Sequence, residues 1–162
     1  PLDGKTIGGP EATVWPQIDA IPAAGDEQQF PLVLVPYDSM RVASRNVANS
    51  PFMTKTIDAD VLKNELVFIE INPQTAGRLG FKEGDMVQIS TPVGKATVRV
   101  DLRDGIRPDL IAMPRGLGRW GFPEDWYIND KGTNINDLIG PRPDPLSGLD
   151  MAWGIRASLT RV

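Results

Sequence analysis

The chain has 162 residues, a formal net charge of -4, and an abundance of Gly (16) and Pro (15) that favours many short strands and turns over long helices. It contains no Cys and no His, which removes disulfides, thiolate metal sites, iron–sulfur ligation, cysteine nucleophiles and the commonest general base from its own chemistry. Hydrolase triads and zinc sites of the usual kinds go with them, and the acidic balance argues against a nucleic-acid partner, whose footprint should be basic.

The length suits one domain with a single core. Apolar residues make up 41% and charged residues 23%, as in an ordinary globular protein. The longest apolar stretches, such as Leu66–Ile69, fall far short of the roughly 20 residues that cross a bilayer, so no direct membrane insertion is expected. No basic segment followed by an apolar run stands at the start, and the chain opens at Pro1 rather than Met, as a processed or excised protein would. Composition leans towards binding rather than catalysis.

Residues 1–30 hold four prolines and no sustained periodicity, and read as an extended arm or linker, with the domain proper over 31–162. Pro31–Val35 is a continuous apolar run, which predicts a strand buried on both faces. Pro36–Thr56 is too polar for a core strand and too irregular for a helix, and a connection of that length is usually functional. Leu66–Ile71 is the next strand. Asn72-Pro73 then announces a helix over Pro73–Leu79, with Asn as the cap and Pro where its missing N–H costs nothing. Ala76 and Leu79 lie on one face of a helix packed on the barrel, Gly80 ends it in the left-handed conformation, and Phe81 folds back onto Ala76.

From Gly84 the pattern alternates. Val87 and Ile89 point one way, Gln88 and Ser90 the other, and Ala96, Val98 and Val100 return inward after a turn at Thr91-Pro92-Val93-Gly94. Asp104-Gly105 makes another turn, Leu110–Met113 another buried strand, and the tail from Met151 supplies the closing strand. Short strands at this spacing with one brief helix indicate a mainly β chain closed into a barrel.

Gly116-Leu117-Gly118-Arg119-Trp120-Gly121 reads G-x-G-x-x-G after a strand, but Pro123 stands where a dinucleotide-binding helix should run, and no second βαβ unit follows. What remains is a glycine loop flanked by Arg115, Arg119 and Trp120, where bare backbone meets a ligand and guanidinium groups pair with phosphate. A ligand-free barrel corner accounts for the same residues. In Lys131–Leu138, Asn134 and Asn136 offer amides that suit the mixed edge of a pterin or guanine ring, or else bond their own backbone in turns. Tyr37–Ser44 follows a strand end, a common ligand position in open α/β sheets, and Arg41, Arg45 and Asn49 read equally as a solvated surface. Glu124-Asp125 makes no case for an acid–base dyad, because adjacent residues have no converging geometry.

The run Ile71–Val87, with its Asn cap, Ala76, Leu79-Gly80 and Gly84-Asp85, resembles a signature of the molybdopterin-dinucleotide-binding C-terminal domain of the dimethyl-sulfoxide-reductase superfamily, the molybdopterin oxidoreductases. Leu110–Pro114 leading into Gly116-x-Gly118, then Gly132-x-Asn134-x-Asn136-x-Leu138, then Asp144–Gly148 complete the order over roughly residues 31–162. The resemblance implies a closed six-stranded double-psi β-barrel with short helices. It also implies a molybdopterin guanine dinucleotide carrying molybdenum or tungsten, bound by the parent enzyme and absent from the isolated domain. On that resemblance Tyr37, Asp38, Arg41 and Ser44 meet the guanosine or phosphate end, and Arg115, Gly116, Gly118 and Trp120 line the same groove. Thr133, Asn134 and Asn136 lie nearer the pterin. The ligand to the metal belongs to another domain of the parent, so neither a catalytic residue nor a metal ligand is expected here.

The Ser147-Gly148 stretch is most similar to polysulfide, thiosulfate and tetrathionate reductases of anaerobic respiration and to quinone-linked relatives. The implied partners are the other domains of the parent oxidoreductase and its iron–sulfur and membrane subunits. The implied setting is a prokaryotic electron-transfer enzyme in the cytoplasm, or exported with the full enzyme to the periplasm. Many relatives carry His where this chain has Arg115, and some have lost the metal cofactor and kept the fold. Two alternatives therefore stand beside a cofactor-binding domain: a cofactor-free scaffold in a quinone-linked respiratory complex, whose loop residues would not converge, and an adaptor-type double-psi barrel with an exposed apolar patch for a protein partner. A self-processing barrel is discouraged by the lack of a Gly-Ser cleavage pair.

Overall fold

A computed structural model describes residues 22–39, 61–63, 65–118, 132–143, 148–150 and 154–162. Its strands are β1 (Leu32–Tyr37), β2 (Leu62–Lys63), β3 (Leu66–Ile71), β4 (Met86–Ser90), β5 (Lys95–Leu102), β6 (Leu110–Pro114) and β7 (Ile155–Arg161), with short helices α1 (Pro73–Leu79) and α2 (Asn136–Ile139). Alternation along the strands places the core. Val87 and Ile89 of β4 and Val98 and Val100 of β5 are fully buried, facing Ile69, Ile71 and Ile111. Each such side chain contributes roughly 1.5–3 kcal/mol relative to exposure.

The strands pair in the order β3-β5-β4-β7-β1-β6, and β6 returns to β3 through Ile71↔Ile111 and Glu70↔Ala112, closing a six-stranded barrel with the two-residue β2 appended to β3. Two pairs are parallel, β1 with β6 and β3 with β5, and the others are antiparallel. This is the double-psi class expected from the sequence, and full closure leaves the barrel strands no open edge.

α1 forms as its punctuation predicts. Asn72 Oδ1 accepts Gln74 N–H at 2.8 Å, Gly80 adopts φ 76°, and Phe81 N–H donates to Ala76 O at 2.8 Å. The face differs: Thr75 and Ala76 are buried, whereas Leu79 is exposed, because the helix touches the barrel over one turn only. β1 differs too. Leu32, Leu34 and Pro36 are buried while Val33 and Val35 are half-buried, since the wall of a closed barrel has one inner face and only a partial outer cover. Before β1, Ala24 forms a parallel bridge to Ile155 and Phe30 is buried.

The pairings assign the loops to two ends. Parallel register (Tyr37↔Pro114) sets the C-terminal ends of β1 and β6 side by side. The antiparallel neighbours bring the β2–β3 turn, the β4–β5 hairpin tip and the start of β7 to that same end. α1 and the loop 103–109 lie at the other.

Candidate functional site

The shared end of β1 and β6 carries a charged clamp. Arg115 Nε donates to Asp38 Oδ1 at 3.0 Å and Nη2 to Oδ2 at 2.7 Å, and Arg115 N–H donates to Tyr37 O at 2.9 Å. Parallel strands turn here at adjacent positions, so residues far apart in sequence meet through a backbone bond and a two-pronged side-chain bond. The side chains of Arg115 and Asp38 are 38% and 52% exposed, which leaves the guanidinium reachable from solvent. The hydrogen bonds from Arg115 hold the Asp38 carboxyl below the usual carboxylate range, and Asp38, with Asp150 further off, pushes the Arg115 guanidinium further up.

Gly116 follows at φ 95° and Gly118 at φ 65°. A β-carbon on Gly118 would run into the backbone of Thr133 and Asn134. The second glycine of the G-x-G therefore makes room for the protein's own chain, which docks the two-Asn segment onto the glycine loop. Gly132 N–H donates to Glu65 O at 2.9 Å, anchoring that segment to the β2–β3 turn, and Asn134 Oδ1 accepts Asn136 N–H at 3.1 Å to start α2.

Of the sequence-derived candidates, Tyr37, Asp38, Arg115, Gly116, Gly118, Thr133, Asn134 and Asn136 thus lie at one end of the barrel, linked by the contacts above. Arg41, Ser44 and Trp120 lie outside the described residues, as do Arg45, Asn49, Arg119, Glu124 and Asp125. Tyr37 contributes its backbone. Its hydroxyl donates to Glu70 Oε1 at 2.9 Å on the outer wall, and burial together with that carboxylate raises the phenol well above its ordinary range, so it stays a neutral donor.

Beside the clamp a cavity of about 560 Å³ is lined by Asn136, Ile139, Gly140, Arg142, Gly148 and Asp150 among others. Arg142 shapes it by donating to Gly154 O and Pro22 O, both at 2.8 Å. Asp150 joins cavity and clamp through its charge on Arg115. Neither Arg142 nor Asp150 stood out in the sequence, because an isolated charge in a Pro- and Gly-rich stretch has no periodicity to mark it. Among the described residues no group of three or more His, Cys, Asp or Glu could hold a metal ion.

The donor set suits an anionic, ring-bearing ligand. Asp38 takes only Nε and Nη2 of Arg115, so a guanidinium with further donors stands beside the half-buried backbone of Gly116. Asn amides, which both donate and accept, lie within the same cluster.

Residues 40–153 match the family described as Molydopterin dinucleotide binding domain. The chain is 34% identical over 132 residues to a menaquinone reductase, molybdopterin-binding-like subunit, of Nitratidesulfovibrio vulgaris, covering 82% of this chain and 19% of that protein. It is 35% identical over 145 residues to the molybdopterin-containing subunit ArrA of the arsenate respiratory reductase of Shewanella sp. (85% of this chain, 17% of that one). Acetylene hydratase from Pelobacter acetylenicus shares the fold, with a TM-score of 0.64 at 18% identity over 84% of this chain and 19% of that chain. The chain spans about a fifth of the length of these relatives. With the closed barrel and the converging loops in place, the match over most of the chain identifies it as a member of the molydopterin dinucleotide binding domain family of molybdopterin oxidoreductases.

Proposed function

We propose that this chain forms one wall of the site for a molybdopterin guanine dinucleotide, carrying molybdenum or tungsten, in a larger respiratory oxidoreductase. The observation that carries the reading is the convergence of the Asp38–Arg115 clamp, the Gly116–Gly118 loop and the Thr133–Asn134 segment at one barrel end. Arg115 and the Gly116 backbone grip phosphate oxygens, and Asn134 and Asn136 bond the edge of a ring. Tyr37 sets the clamp through its carbonyl, Gly118 and Thr133 hold the Asn segment in place, and Arg41, Ser44 and Trp120 complete the nucleotide end. When bound, the cofactor supplies the redox chemistry, while this chain binds and orients it. Residues 31–162 make the domain and 1–30 an arm. The partners are the remaining domains of the parent, then iron–sulfur and membrane subunits. The isolated domain, with one wall of the groove, does not retain the cofactor. Relatives named as molybdopterin-containing subunits of arsenate and tetrathionate reductases support a parent of that kind.

A second reading, a scaffold without cofactor, is favoured by two observations: the molybdopterin-binding-like name of the menaquinone reductase relative, and the pairing of Arg115 with an internal carboxylate. Cofactor content of the full-length parent separates the two. Asn134→Ala should weaken retention by about 1–3 kcal/mol, because buried polar ligand atoms lose a partner. Arg115→Ala should weaken it in a more salt-sensitive way. Neither should unfold the barrel, since both residues lie outside the core. A parent that holds no cofactor would leave the scaffold reading standing, and full occupancy in both variants would remove Asn134 and Arg115 from the binding site.

A further inference from the structure

The β4–β5 hairpin tip contributes none of the residues assigned to the cofactor, yet it is built against the segment that carries two of them. Thr91 is one of three buried polar or charged side chains among the described residues. Its hydroxyl donates to Leu138 O at 2.6 Å and accepts from Val93 N–H and Gly94 N–H, both at 3.1 Å. A β-carbon on Gly94 would collide with the Asp137 carbonyl oxygen, and one on Gly140 would press 3.3 Å from both Val93 methyl groups. The tip therefore grips α2 at three successive places. At the other end of the same segment, Glu65 takes φ 66°, a conformation uncommon outside glycine, and its carbonyl receives Gly132 N–H. Backbone strain persists where surrounding structure over-determines it. Here both anchors converge on residues 132–140, and Thr91 reaches its partner across 47 residues of sequence.

We propose that Thr91 and Gly94 are positioning residues for the dinucleotide: by fixing α2 they set where Asn134 and Asn136 present their amides, so the hairpin tip governs cofactor retention through the Asn segment. This rests on the reading of Asn134 and Asn136 as cofactor-binding. A hydroxyl that serves one carbonyl and two amides cannot be replaced by a methyl without leaving the Leu138 carbonyl unpaired in a buried place and taking the partner from two part-buried amides. The barrel strands keep their own ladders, so the loosening stays local.

The test compares Thr91→Val, Thr91→Ser and Asn134→Ala in the full-length enzyme. It reads nucleotide released on denaturation per mole of chain after gel filtration, and amide hydrogen exchange. Thr91→Val should retain about fivefold less nucleotide or worse, with residues 134–140 exchanging faster while β1, β6 and β7 keep their protection. Thr91→Ser, which keeps the hydroxyl, should behave as the parent. Gly94→Ala, which displaces Asp137 without deleting a bond, should repeat the Thr91→Val pattern and carries the test if that variant fails to fold. Wild-type retention in Thr91→Val beside loss in Asn134→Ala would overturn the proposal alone. Wild-type retention in both would overturn the cofactor reading itself. Exchange rising equally in every strand, or neither hairpin variant folding, would make the tip ordinary core and end the positioning role.

Discussion

The two ends of the barrel are closed by different means. At the α1 end, Asn72 Nδ2 donates to Ile106 O at 2.7 Å, Thr75 Oγ1 to Pro108 O at 2.5 Å, and Arg103 N–H to Ile71 O at 3.0 Å. Those partners lie within about forty residues of one another and satisfy each other's polar groups. At the clamp end, Asp38 meets Arg115 across 77 residues, and Gly118 is fitted against Thr133 and Asn134. The first end is a lid the chain ties locally. The second joins segments far apart in sequence, and exposed ion pairs stand at both ends, Arg103–Asp101 and Arg107–Asp109 at the first and Asp38–Arg115 at the second. A barrel whose two ends are tied by separate sets of bonds can change at the second without loosening the first.

The sharpest way to break that separation is to strike what both ends share. Ile71 is fully buried, pairs with Leu102 and Ile111, and stands at the seam where the barrel closes. Ile71→Ala should cost about 2–5 kcal/mol by transfer and cavity. Denaturation should show it as a single cooperative loss, and hydrogen exchange should rise at both ends together. Survival of the Asp38–Arg115 end with normal protection would mean the clamp does not depend on closure.

A smaller effect should fall on one end. Asn72→Ala removes the cap on Gln74 N–H and the bond to Ile106 O, costing about 1–2 kcal/mol. Thermal unfolding should register the loss while cofactor retention in the parent stays unchanged. A fall in retention would show that the closed end transmits to the clamp.

The same contrast sets how much of the molecule could be read from its residues. The hairpin Met86–Leu102 and helix Pro73–Leu79 were legible because alternation, an Asn-Pro start and a Gly stop act over a few residues. Leu79 was misjudged, since helical spacing gives a face but not how far the neighbouring wall extends. The candidate site could be read only as residue types and motif order. Its geometry was not: nothing local marks Asp38 as the partner of Arg115, and parallel register between β1 and β6 decides it. Gly118 shows the limit, as a glycine suited to a ligand's approach and one vacated for Asn134 look alike in sequence.

The mildest prediction concerns the clamp. Asp38 is exposed and Arg115 depresses its carboxyl, so a group with a folded-state value below its unfolded one stabilises the fold above the unfolded value. That contribution is lost as pH falls through the depressed value. From neutral pH down to the ordinary carboxylate range the clamp should stay intact, and below that range Asp38 should protonate and release Arg115. Carboxyl NMR of Asp38 should show a midpoint below that of an unpaired aspartate. Arg115→Ala should return it upward, and salt should erode the difference, since exposed charges are screened within about 8 Å at physiological ionic strength. Stability should change little in either variant, because a pair this exposed orients more than it stabilises. The informative comparison is then between folding and binding. Asp38→Asn should leave thermal unfolding near that of the parent, yet it removes the carboxylate that aims the guanidinium and competes for it. Retention of nucleotide should rise if competition dominates and fall if aiming does, whereas no change in either salt dependence or retention would detach the clamp from the ligand altogether.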